Sequence, residues 1–241
     1  MNAALEADMV RARMERAGFA FLEGREMRGL LPDAAVEDAA WQAFAGSWED
    51  MPLDEYMADG GRYRRRRFGV FEASPGGGIA RAPHQPHYQS RDYNQLNGGI
   101  ERWFEPIPGA VAEGATFQAL LGFTRALFDS LGAAARWHVE AHQFRIEAGP
   151  DAAGQPTPEG MHRDGVDYVL VLLVRRENIA QGTTTIHDDG RRLLGSFTLS
   201  ERLDSALVDD RRVFHGVTPV VPADASRPAF RDVLVLTYRR I

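Results

Sequence analysis

Met161-His162-Arg163-Asp164-Gly165-Val166-Asp167-Tyr168-Val169-Leu170-Val171-Leu172-Leu173-Val174 joins a short polar turn to an apolar run. From Val166 to Val174 the chain is apolar at odd and even positions alike, which predicts a strand buried on both faces. Upstream, His138 to Glu147 alternates between side-chain classes, as a strand with two different faces does. Downstream, Thr183 to His187 and Arg192 to Leu199 flank Asp188-Asp189-Gly190, a hairpin signal. Val213 to Val221 and Val233 to Tyr238 complete the strand set.

Further upstream the period changes. Phe117, Leu120, Leu121, Thr124, Leu127, Phe128 and Leu131 recur at spacings of three and four, and Gly132 closes that helix. Residues 51–114 are rich in Gly, Pro, Arg and aromatics, with a strand signal at Arg66 to Phe71. Residues 1–50 read as helical. Leu5, Met9, Ala12 and Arg13 begin one amphipathic pattern that Gly18 ends, and Asp33 caps another carrying Val36, Ala39, Ala40 and Phe44. Helices followed by strands predict an α+β, mainly β chain: a sandwich or barrel flanked by N-terminal and central helices. A single domain over 1–241 is expected, with its main strands in 137–241.

The 241 residues are 44% hydrophobic and 26% charged, an ordinary composition for a soluble globular protein. The apolar run Val169 to Val174 is far shorter than the roughly 20 residues of a membrane helix. No apolar leader is visible, and a cytoplasmic location is expected. Cysteine is absent, so a metal site must use His, Asp or Glu. A net charge of −6 disfavours a nucleic-acid partner, and a homodimer is left open.

In an extended chain, residues i and i+2 share a face, so His162 and Asp164 can converge on one cation. Alone, His-x-Asp is ordinarily surface chemistry. A third ligand is available in His215, at the end of the alternating stretch Arg211-Arg212-Val213-Phe214-His215. Gly216 follows it and permits close backbone approach. Two His and one carboxylate make the facial triad of non-haem iron oxygenases, which leaves positions open for a cosubstrate and O2. Arg231 opens the last strand and can grip a carboxylate with two parallel hydrogen bonds.

On these four residues the chain resembles the iron(II)/2-oxoglutarate dioxygenases. Tyr93-Asn94-x-Leu96-Asn97-Gly98-Gly99, Glu140-Ala141-His142-Gln143-Phe144-Arg145 and His162-Arg163-Asp164-Gly165-Val166-Asp167-Tyr168 are similar to the bacterial branch containing L-isoleucine 4-hydroxylase. The similarity spans roughly residues 60–240. It implies a double-stranded β-helix (jelly-roll) core, Fe(II), 2-oxoglutarate and O2. It also implies hydroxylation of a small free L-amino acid, such as isoleucine, leucine or methionine, with release of succinate and CO2. By the same resemblance Arg231 anchors 2-oxoglutarate. Where the family leads one to expect Gly-Gly after Asn178-Ile179, this chain has Gln181-Gly182, which leaves the anchor's second partner open.

Other residues carry two readings each. Thr185 is a strand former or a cosubstrate contact. Gln143 and Arg145 share one face of their strand, opposite His142 and Phe144, and either bind substrate or make structural hydrogen bonds. His142 reads as a core histidine, and His84 and His87 lack a carboxylate at useful spacing. Gly61-Arg62-Tyr63-Arg64-Arg65-Arg66-Arg67-Phe68 reads first as a strand with a solvated face, and next as a source of an arginine for a substrate carboxylate. Residues 149–160 can form a lid. Two competing functions are a cupin-like metal-dependent hydrolase or isomerase, and a metal-free ligand-binding jelly roll.

Overall fold

The computed structural model describes residues 3–94 and 96–241. Its first helix, α1 (Ala3–Ala17), buries Val10 and Met14, four residues apart on one face. The expected stripe through Leu5 and Met9 is instead about half exposed (53% and 50%). Gly18 ends α1 with φ +77°, a left-handed turn that a side chain resists. A strand follows directly, β1 (Phe19–Leu22), inside the segment expected to be wholly helical. Three short helices come next, α2 (Gly24–Gly29), α3 (Asp33–Val36) and α4 (Asp38–Gly46).

The arginine-rich stretch forms β2 (Arg64–Ala73), followed by β3 (Ile79–Arg81), β4 (His87–Tyr88) and β5 (Glu101–Arg102). After α5 (Gly109–Ala112), α6 (Ala115–Ser130) buries Phe117, Leu120, Leu121, Thr124, Leu127 and Phe128, as its three-and-four spacing predicts. Each fully buried Leu or Phe contributes roughly 1.5–3 kcal/mol of transfer free energy. The remaining strands are β6 (Trp137–Ala148), β7 (Tyr168–Glu177), β8 (Ile179–Gln181), β9 (Thr183–His187), β10 (Leu193–Thr198), β11 (Ser205–Asp209), β12 (Phe214–Val217), β13 (Val220–Pro222) and β14 (Ala229–Arg240). The single strand expected from Val213 to Val221 is two, interrupted at Thr218-Pro219.

Among the described residues the largest sheet has the order β1-β11-β7-β14-β6-β2-β3, antiparallel throughout. A smaller sheet, β10-β9-β12, and the pair β13-β8 complete the strand layers near the metal-ligand candidates. The large sheet has two different faces. Leu170, Leu172, Leu234, Leu236, Trp137 and Val139 face the helices and form the main core with α6. The opposite face of β14, β6 and β2 lines a cavity of about 460 Å³. The fold is thus mainly β and antiparallel with few helices. No described helix is long and apolar enough to cross a membrane.

Candidate active site

Strand β12 brings His215 to the turn containing His162. The two residues form an antiparallel bridge outside the regular sheets: His162 N–H donates to His215 O at 2.9 Å, and His215 N–H to His162 O at 3.0 Å. Gly216 makes this possible. A Cβ there would lie 3.2 Å from Met161 Cα and 3.3 Å from Gly160 O. The His162 and His215 rings stand 4.5 Å apart. His162 Nδ1 faces Gly160 O at 3.0 Å, a donor arrangement that leaves Nε2 to face inward. Asp164 completes the group, with Oδ1 3.6 Å from His162 Nε2 and Oδ2 3.5 Å from His215 Nε2. One ligand atom from each residue lies within 4.8 Å of the others, a set that could hold a metal ion.

Electrostatics favours a cation here. Burial opposes ionisation of Asp164, but the two imidazoles outweigh it and hold the carboxyl well below the usual range. Burial also opposes charge on His162, yet Asp164 and Glu159 pull its pKa up to about 10. Asp210, 1% exposed, supports the turn from behind. Its oxygens accept from the backbone N–H groups of Asp164 (3.0 Å), Gly165 (2.8 Å) and Val166 (3.1 Å). Burial and the neighbouring Asp164 raise the Asp210 pKa.

Gln89 to Asn94, together with residues 96–99, cover this turn. Gln89 donates to Asp164 O at 3.1 Å, and the Tyr93 ring lies 2.5 Å from where a Gly165 Cβ would stand. Asn94 Oδ1 accepts from Asn97 N–H, and Asn94 O from Gly98 N–H, which folds the Asn-Gly-Gly motif into a tight cap. The 149–160 segment is pinned rather than free-standing. Gly154 bridges to Val220, and Thr157 Oγ1 exchanges hydrogen bonds with the Val217 backbone.

Arg231 stands on β14, 2% exposed, and lines the same cavity. Its Nε and Nη2 have no partner among the described residues. Burial, with Arg176 beside it, pushes its pKa down to about 10. Arg176 is its register partner on β7. Two guanidiniums on neighbouring strands repel unless an anion lies against them, and each unsatisfied buried donor costs about 1–3 kcal/mol.

Three expected contacts do not reach the cavity. On β6 the alternation turns His138, Glu140, His142, Phe144 and Ile146 inward, so Gln143 and Arg145 face the helical layer. Gln143 donates to Ser47 Oγ at 2.7 Å. Arg145 pairs bidentately with Asp232, at 2.7 and 2.8 Å. A substrate role for Gln143 or Arg145 is therefore corrected to a structural one. Thr185 is in register with Gly216 on β9, whereas its neighbour Ile186 matches His215 and packs on Val169. Alternation turns Thr185 to the opposite face, and the expected cosubstrate contact is not made.

The arginine run is also corrected. Arg64, Arg66 and Arg67 are buried rather than solvated. Arg64 and Arg66 line the cavity, while Arg67 turns away to Glu105 and the backbone at Ser47 and Asp50. Arg64 Nε donates to Asp54 at 2.8 Å. Arg66 Nη2 lies 2.8 Å from His142 Nδ1. Arginine only donates, so Nδ1 accepts and His142 carries its proton on Nε2, 3.5 Å from Glu140. Burial and Arg66 hold the His142 pKa down to about 3.

His87 Nδ1 approaches Glu140 Oε2 at 2.8 Å. His87, Glu140 and His142 thus form a second compact cluster, whose carboxylate comes from β6 and not from the histidine loop. Both nitrogens of His142 are already engaged and Arg66 lies against it, so the cluster reads as a hydrogen-bonded wall. Sequence reasoning also missed Arg102, Arg176, Asp210 and Glu159, which belong to segments with no chemical motif.

The sequence model of the 2OG-Fe dioxygenase family matches residues 45–237, most of the chain. The chain belongs to that family. This 2OG-Fe dioxygenase is 26% identical over 235 residues to the 3(1)-hydroxy-L-isoleucine 4-dioxygenase of Pantoea ananatis, covering 94% of each chain. It is 29% identical over 156 residues to the L-isoleucine-4-hydroxylase of Bacillus thuringiensis, covering 63% of this chain and 64% of the other. A crystal structure of a bsmA homolog from Methylobium petroleophilum superposes with TM-score 0.88 at 37% identity, over 97% of this chain and 93% of that one. The dioxygenase uses iron(II), 2-oxoglutarate and O2.

Proposed function

We propose that this dioxygenase hydroxylates a small free L-amino acid. Its iron is held by His162, Asp164 and His215, and its 2-oxoglutarate by Arg231 with Arg176. One observation carries the reading: three metal-ligand side chains and an orphaned buried guanidinium line a single cavity. The donor set suits non-haem iron, and Arg231 suits a carboxylate. The chemistry supplied by bound iron, 2-oxoglutarate and O2 converts an unactivated C–H to C–OH, one oxygen atom entering the product and the other succinate, with loss of CO2.

The chain's residues do the positioning. Asp210 fixes the turn, Gly160 O orients His162, and Tyr93 and Asn94 with Val169, Val171, Val233 and Val235 keep bulk water from the reacting carbon. The cavity is large enough for 2-oxoglutarate and one small second molecule. Its walls carry both signs, with Glu140 and Glu159 beside Arg66 and Arg102, which suits a zwitterion. The isoleucine-derived substrates named for both bacterial relatives point the same way. The strand layers are taken to be the double-stranded β-helix of the family. Family membership leaves the hydrolase and metal-free readings without support.

The test is a panel of free L-amino acids with Fe(II), 2-oxoglutarate and O2, read by mass spectrometry. A gain of one oxygen matched by equimolar succinate is the expected result. A panel in which no amino acid is oxidised, while 2-oxoglutarate is still consumed, removes the substrate assignment.

A further inference from the structure

The cavity holds a second orphaned guanidinium. Arg102 on β5 is 2% exposed, lines the cavity, and has neither Nε nor Nη2 satisfied among the described residues. It does not duplicate Arg231. Strands β6 and β2 lie between Arg231 and the 104–107 segment that follows β5 and runs against Phe68 of β2. The charges acting on Arg102 are those of Arg64, Asp54, Glu140 and Glu159, and those acting on Arg231 are of Arg176. The neighbours of Arg102 offer less: Arg64 holds Asp54 through Nε and Nη2, and Arg66, which meets His142 and the Phe104 ring 3.9 Å from its guanidinium carbon, keeps only Nε without a partner among the described residues. Arg102 is therefore the group at this end with a fork left to offer. Its position is fixed, because it is the register partner of His87, which Glu140 holds.

A buried cation without a counter-anion is costly, so two such cations on separate walls fit two separate anions. The cosubstrate supplies one. We infer that Arg102 receives the α-carboxylate of the amino-acid substrate and so sets which end of that molecule lies away from the metal. This rests on the amino-acid reading above. It makes the free carboxylate the recognised group, so a side chain without polar atoms suffices for the reacting end. An amide, an ester or an internal peptide residue binds more weakly, because it offers this guanidinium no negative charge.

The test is calorimetric binding to the anaerobic protein loaded with Fe(II) and 2-oxoglutarate, with L-isoleucine and L-isoleucinamide as probes. Wild type is expected to prefer the acid. Arg102→Met is expected to weaken L-isoleucine by about ten- to a hundred-fold, the worth of a charged hydrogen bond. The same variant should leave isoleucinamide and 2-oxoglutarate within about two-fold, and Arg102→Lys should recover part of the loss. Retained 2-oxoglutarate binding reports a folded variant. If Arg102→Met does not fold, Arg102→Lys and the wild-type acid-to-amide ratio still decide.

Unchanged L-isoleucine binding in Arg102→Met, an equal loss for acid and amide, or a loss of 2-oxoglutarate instead would each overturn the assignment and leave the hydroxylase reading intact. If L-isoleucine does not bind wild type, the remaining free amino acids are tried in its place. If none binds, the amino-acid reading falls, and this assignment falls with it.

Discussion

His162 and His215 exchange both of their backbone hydrogen bonds, 53 residues apart in sequence, so two of the three candidate iron ligands are fixed by one bridge. Displacing either strand moves both rings. Gly216→Val should therefore act like a ligand mutation, because its side chain meets the Met161 backbone. His162→Ala and His215→Ala should abolish iron-dependent succinate formation, and Gly216→Val should reduce it at least about ten-fold, equivalent to roughly 1.4 kcal/mol. Wild-type rates in any of the three would detach the bridge from the metal site.

Removing the Asp210 carboxylate leaves three backbone N–H groups facing a buried void. At about 1–3 kcal/mol per unsatisfied group, Asp210→Ala should lower the melting temperature by several degrees and weaken iron retention against a chelator. Asp210→Asn keeps one acceptor oxygen and should fall between the two. Equal chelator resistance in all three proteins would show that the turn holds itself.

Arg231→Gln should raise the 2-oxoglutarate concentration needed for half-maximal rate by ten-fold or more, about 1.5–3 kcal/mol, while the amino-acid KM changes little. Arg231→Lys should recover part of the loss, since an ammonium keeps the charge without the fork. Steady-state kinetics in both substrates checks this, and an unchanged 2-oxoglutarate requirement would reassign the anchor.

Arg145 lies near catalytic sequence but outside the catalytic cavity. Arg145→Met leaves Asp232 buried without its bidentate partner, at a cost of about 3–5 kcal/mol in stability. Arg175 offers Asp232 a residual contact at 3.2 Å, which moderates the loss. Urea unfolding should shift accordingly, with both KM values of the folded fraction unchanged. A shifted amino-acid KM at unchanged stability would return Arg145 to the substrate site.

Histidine 142 predicts a pH dependence. Its pKa is about 3 in the folded chain against 6.5 as a free side chain. Between these values the unfolded chain binds more protons, so stability falls as pH drops from about 6.5 toward 3. The slope is at most about 1.4 kcal/mol per pH unit from this group. His87, also lowered by burial, adds in the same direction. Melting temperatures from pH 7.5 to 5 should decline, and more gently in His142→Gln. Parallel curves would place the acid sensitivity elsewhere.

The meeting of His162, Asp164 and His215 was legible because each sits beside a strong signal: an uninterrupted apolar strand, or an alternating strand ending in Gly216. The inward face of β6 was not. Each of its faces mixes apolar and polar side chains, Glu140, His142 and Phe144 on one and Val139, Ala141, Gln143 and Arg145 on the other, so hydropathy does not choose between them. Only the helices packed on Ala141 and Val139 do. Arg102 was hidden for another reason. It lies on a two-residue strand, too short to show a period, in a stretch whose Gly and Pro content reads as loop. The run of four arginines misled by composition: alternation within β2 sends Arg64 and Arg66 to one side and Arg67 to the other, where Glu105 and backbone carbonyls receive it.

The opposed pair Arg231 and Arg176 reaches beyond turnover. Arg231 keeps two buried donors without a partner among the described residues, and on the proposed reading a bound dicarboxylate that satisfies them stabilises the folded chain by mass action. On the proposed anchoring, the lifetime of this chain against proteolysis should lengthen as the 2-oxoglutarate concentration around it rises.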